Sequence, residues 1–204
     1  MSNKIACIVG MTGAGKSIVA DELVKEGFAY LRFGQITLDK IKEKGLKINE
    51  VNEKKIREGL RKEYGMGAFA FLNIPKIDTL LKKSNVVIDG LYSWSEYKIL
   101  KEKYSDSLYV IAVYAPPKLR YERLKNRSVE NDEKKRFRPL TEKEAKARDF
   151  AEIENIEKSG PIAMADFTIL NTGTIDELKA KVKEVLLHVT KDLPAYTYKE
   201  RRTN

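Results

Sequence analysis

One short segment near the amino terminus constrains the fold more than any other feature of the chain. Gly10, Gly15, Lys16 and Ser17 fit the pattern G-x-x-x-x-G-K-[ST]. Glycines let such a loop curl so that its N–H groups point toward phosphate oxygens, and the following helix presents its positive dipole end to the same anion. The segment therefore predicts a phosphate-binding loop, provided that a buried strand precedes it and a helix follows it.

The sequence supplies both flanking elements. The run KIACIVG, residues 4–10, is almost continuously apolar, as expected of a parallel strand that is buried on both faces. Residues 17–27 carry apolar side chains at helical spacing and end in a glycine, which is favoured just after a helix. A glycine-rich turn without a nucleotide is the alternative, and this context disfavours it.

The residue types of the loop suggest roles for each position. Lys16 would reach the β- and γ-phosphates of a nucleoside triphosphate, and Ser17 would ligate Mg²⁺. ATP and Mg²⁺ are therefore the expected cofactors. The loop residues expected to surround the phosphates are Gly10, Thr12, Gly13, Ala14, Gly15, Lys16 and Ser17.

The rest of the chain alternates between strand and helix patterns, which predicts an α/β fold with a parallel sheet and right-handed crossovers. Residues 35–84 are helical in pattern throughout, and residues 128–140 are polar without apolar periodicity. Capping boxes at Thr141-x-x-Glu144 and Thr174-x-x-Glu177 predict the starts of two late helices, the first running through residue 160. We expect one domain, residues 1–191, and a flexible tail, residues 192–204.

Ligands of such sheets gather at the carboxyl ends of the strands. The segments predicted to meet there are Gly10–Ser17, Phe33–Gly34, Asp89–Tyr92, Ala115–Pro117 and Asn171–Gly173. This edge therefore combines a phosphate loop, an acid and a polar loop.

The positive charge is concentrated in one region. The chain has 204 residues and a formal net charge of +9, and residues 118–148 contribute twelve Lys or Arg against six Asp or Glu. Such an excess could bind nucleic acid or neutralise a nucleoside triphosphate during phosphoryl transfer. Nucleic-acid grooves interleave several aromatic residues with charge, whereas residues 128–140 of this segment contain one aromatic residue, Phe137. A phosphate clamp is favoured; a nucleotide-regulated nucleic-acid-binding protein and a polynucleotide 5′-kinase are the alternatives.

Other features exclude some classes of protein. Cys7 is the single cysteine, so neither a disulfide framework nor a cysteine zinc site is possible, and it is expected in the core. The first ten residues lack the apolar region of a signal peptide, and no apolar run approaches the roughly 18 residues of a membrane span. We expect a cytoplasmic protein without a membrane partner.

Three segments, VVIDGLYSW, YERLKNR and ARDFAE, resemble the P-loop nucleoside-monophosphate kinase group, especially adenylate-kinase-related and dephospho-CoA-kinase-like proteins. The resemblance covers roughly residues 5–187. It implies a three-layer αβα P-loop NTPase fold with a five-stranded parallel sheet of order 2-3-1-4-5, a helical acceptor-binding insertion at residues 35–84 and an arginine-rich lid at residues 128–140. It also implies ATP-dependent transfer of a phosphoryl group to a nucleotide-like small-molecule acceptor, of the nucleoside monophosphate or dephospho-CoA type.

The resemblance also assigns residues to roles. Asp89 matches the acid that lies near the acceptor and near Mg²⁺, reached through water. Arg123 and Arg127 match the pair that opens the lid, and their spacing predicts that they share one helix face. Arg148 resembles the arginine that grips the transferring phosphate, with Arg136 and Arg138 closing over it. The segment that would surround the adenine contains Asn171, Thr172 and Gly173.

The acceptor region departs from the pattern of this group. Gln35 and Leu38 replace the aspartate and arginine that follow the second strand in adenylate kinases, and no arginine follows Gly90. The candidate acceptor contacts are therefore Arg32, Arg57, Arg61 and Tyr92, with Phe33, Tyr92 and Trp94 available to stack on a base. The alternative is an acceptor without a phosphate at this site, packed against Tyr92 and Trp94.

Overall fold

The computed structural model describes residues 2–127 and 139–191 of the chain. Five strands form one parallel sheet in the order β2-β3-β1-β4-β5. Their bounds are β1 (Ile5–Val9), β2 (Ala29–Arg32), β3 (Val86–Asp89), β4 (Leu108–Tyr114) and β5 (Phe167–Leu170). The predicted fold class and strand order are confirmed.

Helices cover both faces of this sheet and complete a three-layer αβα arrangement. In the described residues they are α1 (Lys16–Lys25), α2 (Gln35–Glu43), α3 (Glu50–Tyr64), α4 (Ala68–Leu81), α5 (Trp94–Tyr104), α6 (Pro117–Lys125), α7 (Glu142–Ile156), α8 (Ser159–Ala163) and α9 (Ile175–Lys191). A short 3₁₀ turn, Ser105–Ser107, joins α5 to β4. In the described part of the chain, no helix is long and apolar enough to cross a membrane.

The core has one apolar cluster on each face of the sheet. Alternate side chains of β1 enter opposite clusters, as the two-residue period of a strand requires: Cys7 lies in one cluster and Ile8 in the other. Cys7 is fully buried, and burial raises the pKa of its thiol far above the usual range. The expectation of a core cysteine is confirmed.

Residues 35–84 form the three helices α2, α3 and α4 between β2 and β3, as the apolar spacing predicts. The Asn49 side chain caps α3 by accepting a 2.9 Å hydrogen bond from the N–H of Asn52. Pro75 lies inside α4 and does not start it, since α4 begins at Ala68. Phe69 and Ile77, on either side of the proline, are buried in the same core cluster.

Both predicted capping boxes are present, at Thr141 with Glu144 and at Thr174 with Glu177. The long helix predicted from residue 142 to residue 160 is wrong, however. Helix α7 ends at Ile156, because Glu157 adopts a left-handed conformation with φ of 53° and Pro161 cannot continue the same ladder of hydrogen bonds. The turn brings Lys158 back beneath α7.

Candidate functional site

The phosphate loop requires glycine at two of its positions for steric reasons. Gly10 has φ of 140°, and a Cβ there would lie 2.3 Å from the carbonyl oxygen of Val113. Gly15 has φ of 103°, and its Cβ would lie 2.3 Å from Nδ2 of Asn171. The loop thus folds as the sequence pattern predicts, between β1 and the first turn of α1.

Lys16 begins α1 and turns its side chain back over the loop, where its Nζ donates a 3.1 Å hydrogen bond to the carbonyl oxygen of Met11. Burial and the neighbouring Lys158 lower the pKa of Lys16 to about 7, against the opposing effect of Glu152 and Asp89. The loop lysine therefore lies in a cluster of charges that come from three other elements. Ser17 follows in the same helical turn.

A buried ion pair holds the loop from the side of α6 and α7. The guanidinium of Arg120 forms two hydrogen bonds of 3.0 and 2.6 Å with the Asp149 carboxylate. It also donates to the carbonyl oxygens of Thr12 (2.9 Å) and Ala115 (3.1 Å). Arg120 is 4% exposed, so this member of the basic segment is not available to a nucleic acid. Sequence reasoning missed its role.

Asn171 supports the loop from the other side. Its Nδ2 donates a 2.7 Å hydrogen bond to the carbonyl oxygen of Ala14, and its Oδ1 accepts a 3.4 Å hydrogen bond from Arg123. The predicted adenine contact Asn171 is thus occupied by the phosphate loop, whereas Thr172 and Gly173 are exposed. Any contact with a base from this segment falls to those two residues.

Glu152 connects α7 to the phosphate loop and to the turn that follows α7, and it was not found from the sequence. Its carboxylate accepts hydrogen bonds from Arg148 Nε at 2.9 Å, from Lys158 Nζ at 2.5 Å and from the Thr12 hydroxyl at 3.3 Å. Burial raises the pKa of Glu152, but Lys158 and Arg148 outweigh it and lower the pKa to about 2. Glu152 therefore carries a fixed negative charge beside the loop.

Lys158 is the third site residue that sequence reasoning missed. Its side chain is 1% exposed, and its Nζ forms an ion pair with Glu152. The same Nζ lies 4.7 Å from the centroid of the Tyr92 ring. Burial is the largest cause that lowers its pKa. The sequence signal is weak, since only the end of α7 at Ile156 makes Lys158 turn inward.

Asp89 lies at the carboxyl end of β3, opposite Arg32 on β2 and Ile8 on β1. Its carboxylate accepts a 2.9 Å hydrogen bond from the hydroxyl of Tyr30. Burial, followed by the charges of Asp89 and Glu152, raises the pKa of Tyr92 to about 12. The structure therefore groups Lys16, Asp89, Tyr92 and Arg148 at one edge of the sheet, with Glu152 and Lys158 among them.

The two lid-opening arginines do not share a helix face. Helix α6 ends at Lys125 with Asn126 as its C-cap, so Arg127 lies beyond the helix, and that expectation is wrong. Arg123 contacts Asn171, and burial lowers its pKa. Its Nη1 is buried without a hydrogen-bond partner among the residues described. Arg136, Arg138 and residues 128–138 of the predicted lid fall outside the described part of the chain.

Two of the three predicted acceptor arginines lie on α3, and the third, Arg32, is the last residue of β2. Arg57 forms an ion pair of 3.3 Å with Glu53, and Arg61 lies 5.5 Å from the centroid of the Phe69 ring. Burial lowers the pKa of Arg61, whose Nε is buried and has no hydrogen-bond partner in residues 2–127 or 139–191. Arg61 is therefore desolvated and lacks a full set of hydrogen bonds.

Glu96 is the acid whose charge acts most strongly on Arg61, and it was not found from the sequence. It is fully buried, and its Oε2 accepts hydrogen bonds of 2.9 and 3.0 Å from the N–H groups of Tyr92 and Ser93. Burial raises its pKa to about 7, although those bonds and Arg61 oppose the shift. The signal in the sequence was the capping box Ser93-x-x-Glu96, which fixes the backbone at Tyr92.

Two aromatic residues expected to stack on a base are committed to the core instead. Phe33 is fully buried, and Trp94 stacks on Tyr97 with ring centroids 5.0 Å apart. Helix α8 closes the other side of Trp94, since a Cβ at Gly160 would lie 2.9 Å from its indole. The expectation of base stacking by Phe33 and Trp94 is therefore wrong, and Tyr92 is the remaining aromatic candidate at this edge.

Mg²⁺ is compatible with the residues present. Among the residues that the structure describes, no group of three or more His, Cys, Asp or Glu side chains could enclose a metal. Mg²⁺ instead takes one or two protein oxygens and completes its shell with phosphate oxygens and water. Ser17 beside the glycine cradle and Asp89 at the end of β3 are oxygen ligands of that kind.

Comparison with known proteins places this geometry in a class. The model of the AAA domain family AAA_18, a family of P-loop NTPases, matches residues 7–156. In fold the chain is similar to a gluconokinase from Sinorhizobium meliloti, with a TM-score of 0.57, 12% identity, and 94% and 95% of the two chains covered. It is also similar to a shikimate kinase from Acinetobacter baumannii, with a TM-score of 0.52, 17% identity and coverage of 93% and 94%.

Sequence comparison adds a narrower group. A UPF0200 protein of Thermococcus gammatolerans is 35% identical over 191 residues, which cover 93% of this chain and 97% of that protein. The chain therefore belongs to the AAA domain family and to the UPF0200 proteins. The two fold neighbours show the fold that this chain shares with them, and the name UPF0200 specifies no activity.

Proposed function

We propose that this protein is an ATP- and Mg²⁺-dependent kinase that phosphorylates a nucleotide-like small molecule. One observation carries the proposal: the lysine of the phosphate loop lies in the same charged cluster as Asp89 and Arg148, at the sheet edge where an acceptor would meet the nucleotide. Phosphoryl transfer depends on positioning and on neutralising charge more than on covalent chemistry. This cluster supplies both.

In the proposed reaction each residue acts on a stated group. Lys16 leaves the Met11 carbonyl oxygen and pairs with the β- and γ-phosphates, whose charge favours its protonated form. Ser17 and Asp89 would hold Mg²⁺, Asp89 through a water, and the metal when bound would supply positive charge to the phosphates. Arg148 and Arg123 pair with the phosphoryl group as it moves.

The proposed kinase domain is residues 1–191. Residues 35–84 would bind the acceptor, since α2 to α4 are inserted between the two strands that carry Arg32 and Asp89. The lid assigned to residues 128–140, with Arg127 at its entrance, remains a prediction. Thr172 and Gly173 would contact the base of ATP.

An acceptor phosphate is the first choice for Arg57 and Arg61. A second candidate is an acceptor that presents hydroxyl groups here. Two acids favour this candidate, because they reduce the positive charge that a phosphate would need. Glu53 already pairs with Arg57, and Glu96 partly offsets the charge of Arg61. Tyr92 would then form the main contact with the acceptor.

The test is a phosphoryl-transfer assay with MgATP and a panel of acceptors. The panel contains nucleoside monophosphates, nucleosides, dephospho-CoA, sugar acids and 5′-hydroxyl oligonucleotides, and the readout is phosphorylated product. We expect transfer to a small molecule, with Lys16→Met as the inactive control. Binding of oligonucleotides without transfer to any acceptor would instead favour a nucleotide-regulated nucleic-acid-binding protein.

A further inference from the structure

Glu152 is shared between two cations that differ in their freedom to move. The side chain of Arg148 is 45% exposed and lies on the solvent side of the carboxylate, whereas that of Lys158 is 1% exposed and lies beneath it. The Glu152 side chain is itself only 11% exposed. One partner can therefore leave for a ligand, and the other cannot.

Removing Arg148 from Glu152 would be costly if Lys158 were absent. A carboxylate this deeply buried requires a partner, because breaking a buried ion pair leaves an uncompensated charge. Lys158 remains on Oε2 at 2.5 Å, its Nζ lies 4.7 Å from the centroid of the Tyr92 ring, and its backbone directly follows the left-handed turn at Glu157. The negative charge of Glu152 is thus compensated whether Arg148 stays or leaves.

We propose that Lys158 is a positioning residue that lets Arg148 exchange from Glu152 to the phosphates of bound ATP. Glu152 holds Arg148 in place before the nucleotide binds, and it is linked to the loop through the hydroxyl of Thr12. When phosphate enters, Arg148 moves onto it and Lys158 keeps Glu152 ionised and in place. Lys158 acts through Glu152 and does not touch the substrate. The inference rests on the proposed kinase function, because it concerns the arginine assigned to the moving phosphoryl group.

A set of variants tests the exchange by kinetics. In Lys158→Met, Glu152 retains Arg148 as its only strong partner. At pH 6, where Lys16 is protonated with or without Lys158, kcat should fall by about tenfold or more while the KM for ATP changes little. Adding Glu152→Gln removes the charge that retains Arg148, so the double variant should recover most of the lost kcat. If Lys158 served packing alone, the double variant would be at least as impaired as Lys158→Met, and the proposal would be overturned.

The chain offers a matched control for the kinetic series. Lys4 is also buried, at 7% exposed, and its Nζ lies 5.8 Å from the centroid of a tyrosine ring, that of Tyr109. It lies just before the amino end of β1, at the opposite edge of the sheet from the site. Lys4→Met should therefore leave kcat unchanged, and an equal loss in both lysine variants would argue against a specific role for Lys158.

A crystal structure with Mg²⁺ and a non-hydrolysable ATP analogue tests the exchange without an acceptor. We expect Arg148 on phosphate, beyond the roughly 4 Å limit of an ion pair with Glu152, and Lys158 still paired with Glu152. An Arg148 that remained on Glu152 in the bound state would overturn the proposal. Absence of phosphoryl transfer in the wild type would instead contradict the kinase function, and the structure would still report on the exchange.

Discussion

At the scale of single residues, the ammonium of Lys16 is the most consequential group in the site. It donates a hydrogen bond to the Met11 carbonyl oxygen. Burial and the positive charge of Lys158 lower the pKa of Lys16 to about 7. An arriving polyphosphate reverses this balance, since a charged ammonium is its natural partner. Nucleotide binding should therefore be coupled to protonation of Lys16.

The coupling predicts a pH dependence of ATP affinity with a definite sign. Below pH 7 the ammonium is charged before and after binding; above pH 7 the free protein must take up a proton to bind. The Kd for MgATP should therefore rise with pH above about 7, by up to about tenfold per pH unit. Titration calorimetry from pH 6 to pH 9 measures this slope. Lys16→Met is the control, because any change of its Kd with pH comes from groups other than Lys16, such as the phosphates of ATP. Equal slopes of Kd against pH in the wild type and in Lys16→Met would refute the coupling.

Arg61 decides between the two kinds of acceptor. If the acceptor carries a phosphate here, Arg61→Ala removes a charge-assisted hydrogen bond worth about 1.5–3 kcal/mol, which raises the acceptor KM roughly ten- to a hundredfold. The KM for ATP should not change. Arg57→Ala should have a smaller effect, because Arg57 is already paired with Glu53. Steady-state kinetics with the acceptor found in the panel provide the measurement.

The hydroxyl-bearing acceptor gives the opposite pattern. Tyr92→Ala would raise the acceptor KM, and the arginine variants would leave it unchanged. Lys54→Ala on the same helix is the control for nonspecific charge effects, since the Lys54 and Glu58 side chains of its 3.8 Å ion pair are 68% and 64% exposed.

At the scale of elements, the Arg120–Asp149 pair joins α6 and α7 to the phosphate loop. Both side chains are more than nine-tenths buried, so Asp149→Asn leaves Arg120 charged and short of a partner. Such a change costs about 3–5 kcal/mol of unfolding free energy. Urea denaturation measures this loss. Glu43→Gln, which breaks an ion pair whose side chains are 44% and 60% exposed, should cost less than about 1 kcal/mol, and similar losses in both variants would contradict the bracing role.

The elements also show what the sequence could predict and why the rest was hidden. The strands, the phosphate loop and both capping boxes follow local patterns, so they could be predicted from neighbouring residues alone. Glu152 and Lys158 could not, because their roles depend on the left-handed turn at Glu157. Nothing in the local sequence distinguishes these two residues from the exposed acids and lysines of α7.

At the scale of the whole molecule, ATP should stabilise the fold by mass action. A ligand at a hundred times its Kd adds about 2.7 kcal/mol to the unfolding free energy. For a chain of this length that gain corresponds to a rise in Tm of about 5–10 °C. Differential scanning fluorimetry with MgATP measures it, with Mg²⁺ alone and Lys16→Met as controls. An unchanged Tm at saturating MgATP would argue against nucleotide binding.

The bracing of the phosphate loop by distant residues has a consequence for the order of folding. Thr12 contacts Glu152, 140 residues later, and Ala14 is held by Asn171, 157 residues later. Contacts of such long sequence separation form late, because a long stretch of chain must be ordered before they can form. During synthesis Thr12 emerges 140 residues before Glu152, and Ala14 emerges 157 residues before Asn171. The phosphate loop therefore remains without its supports until Asn171 has left the ribosome.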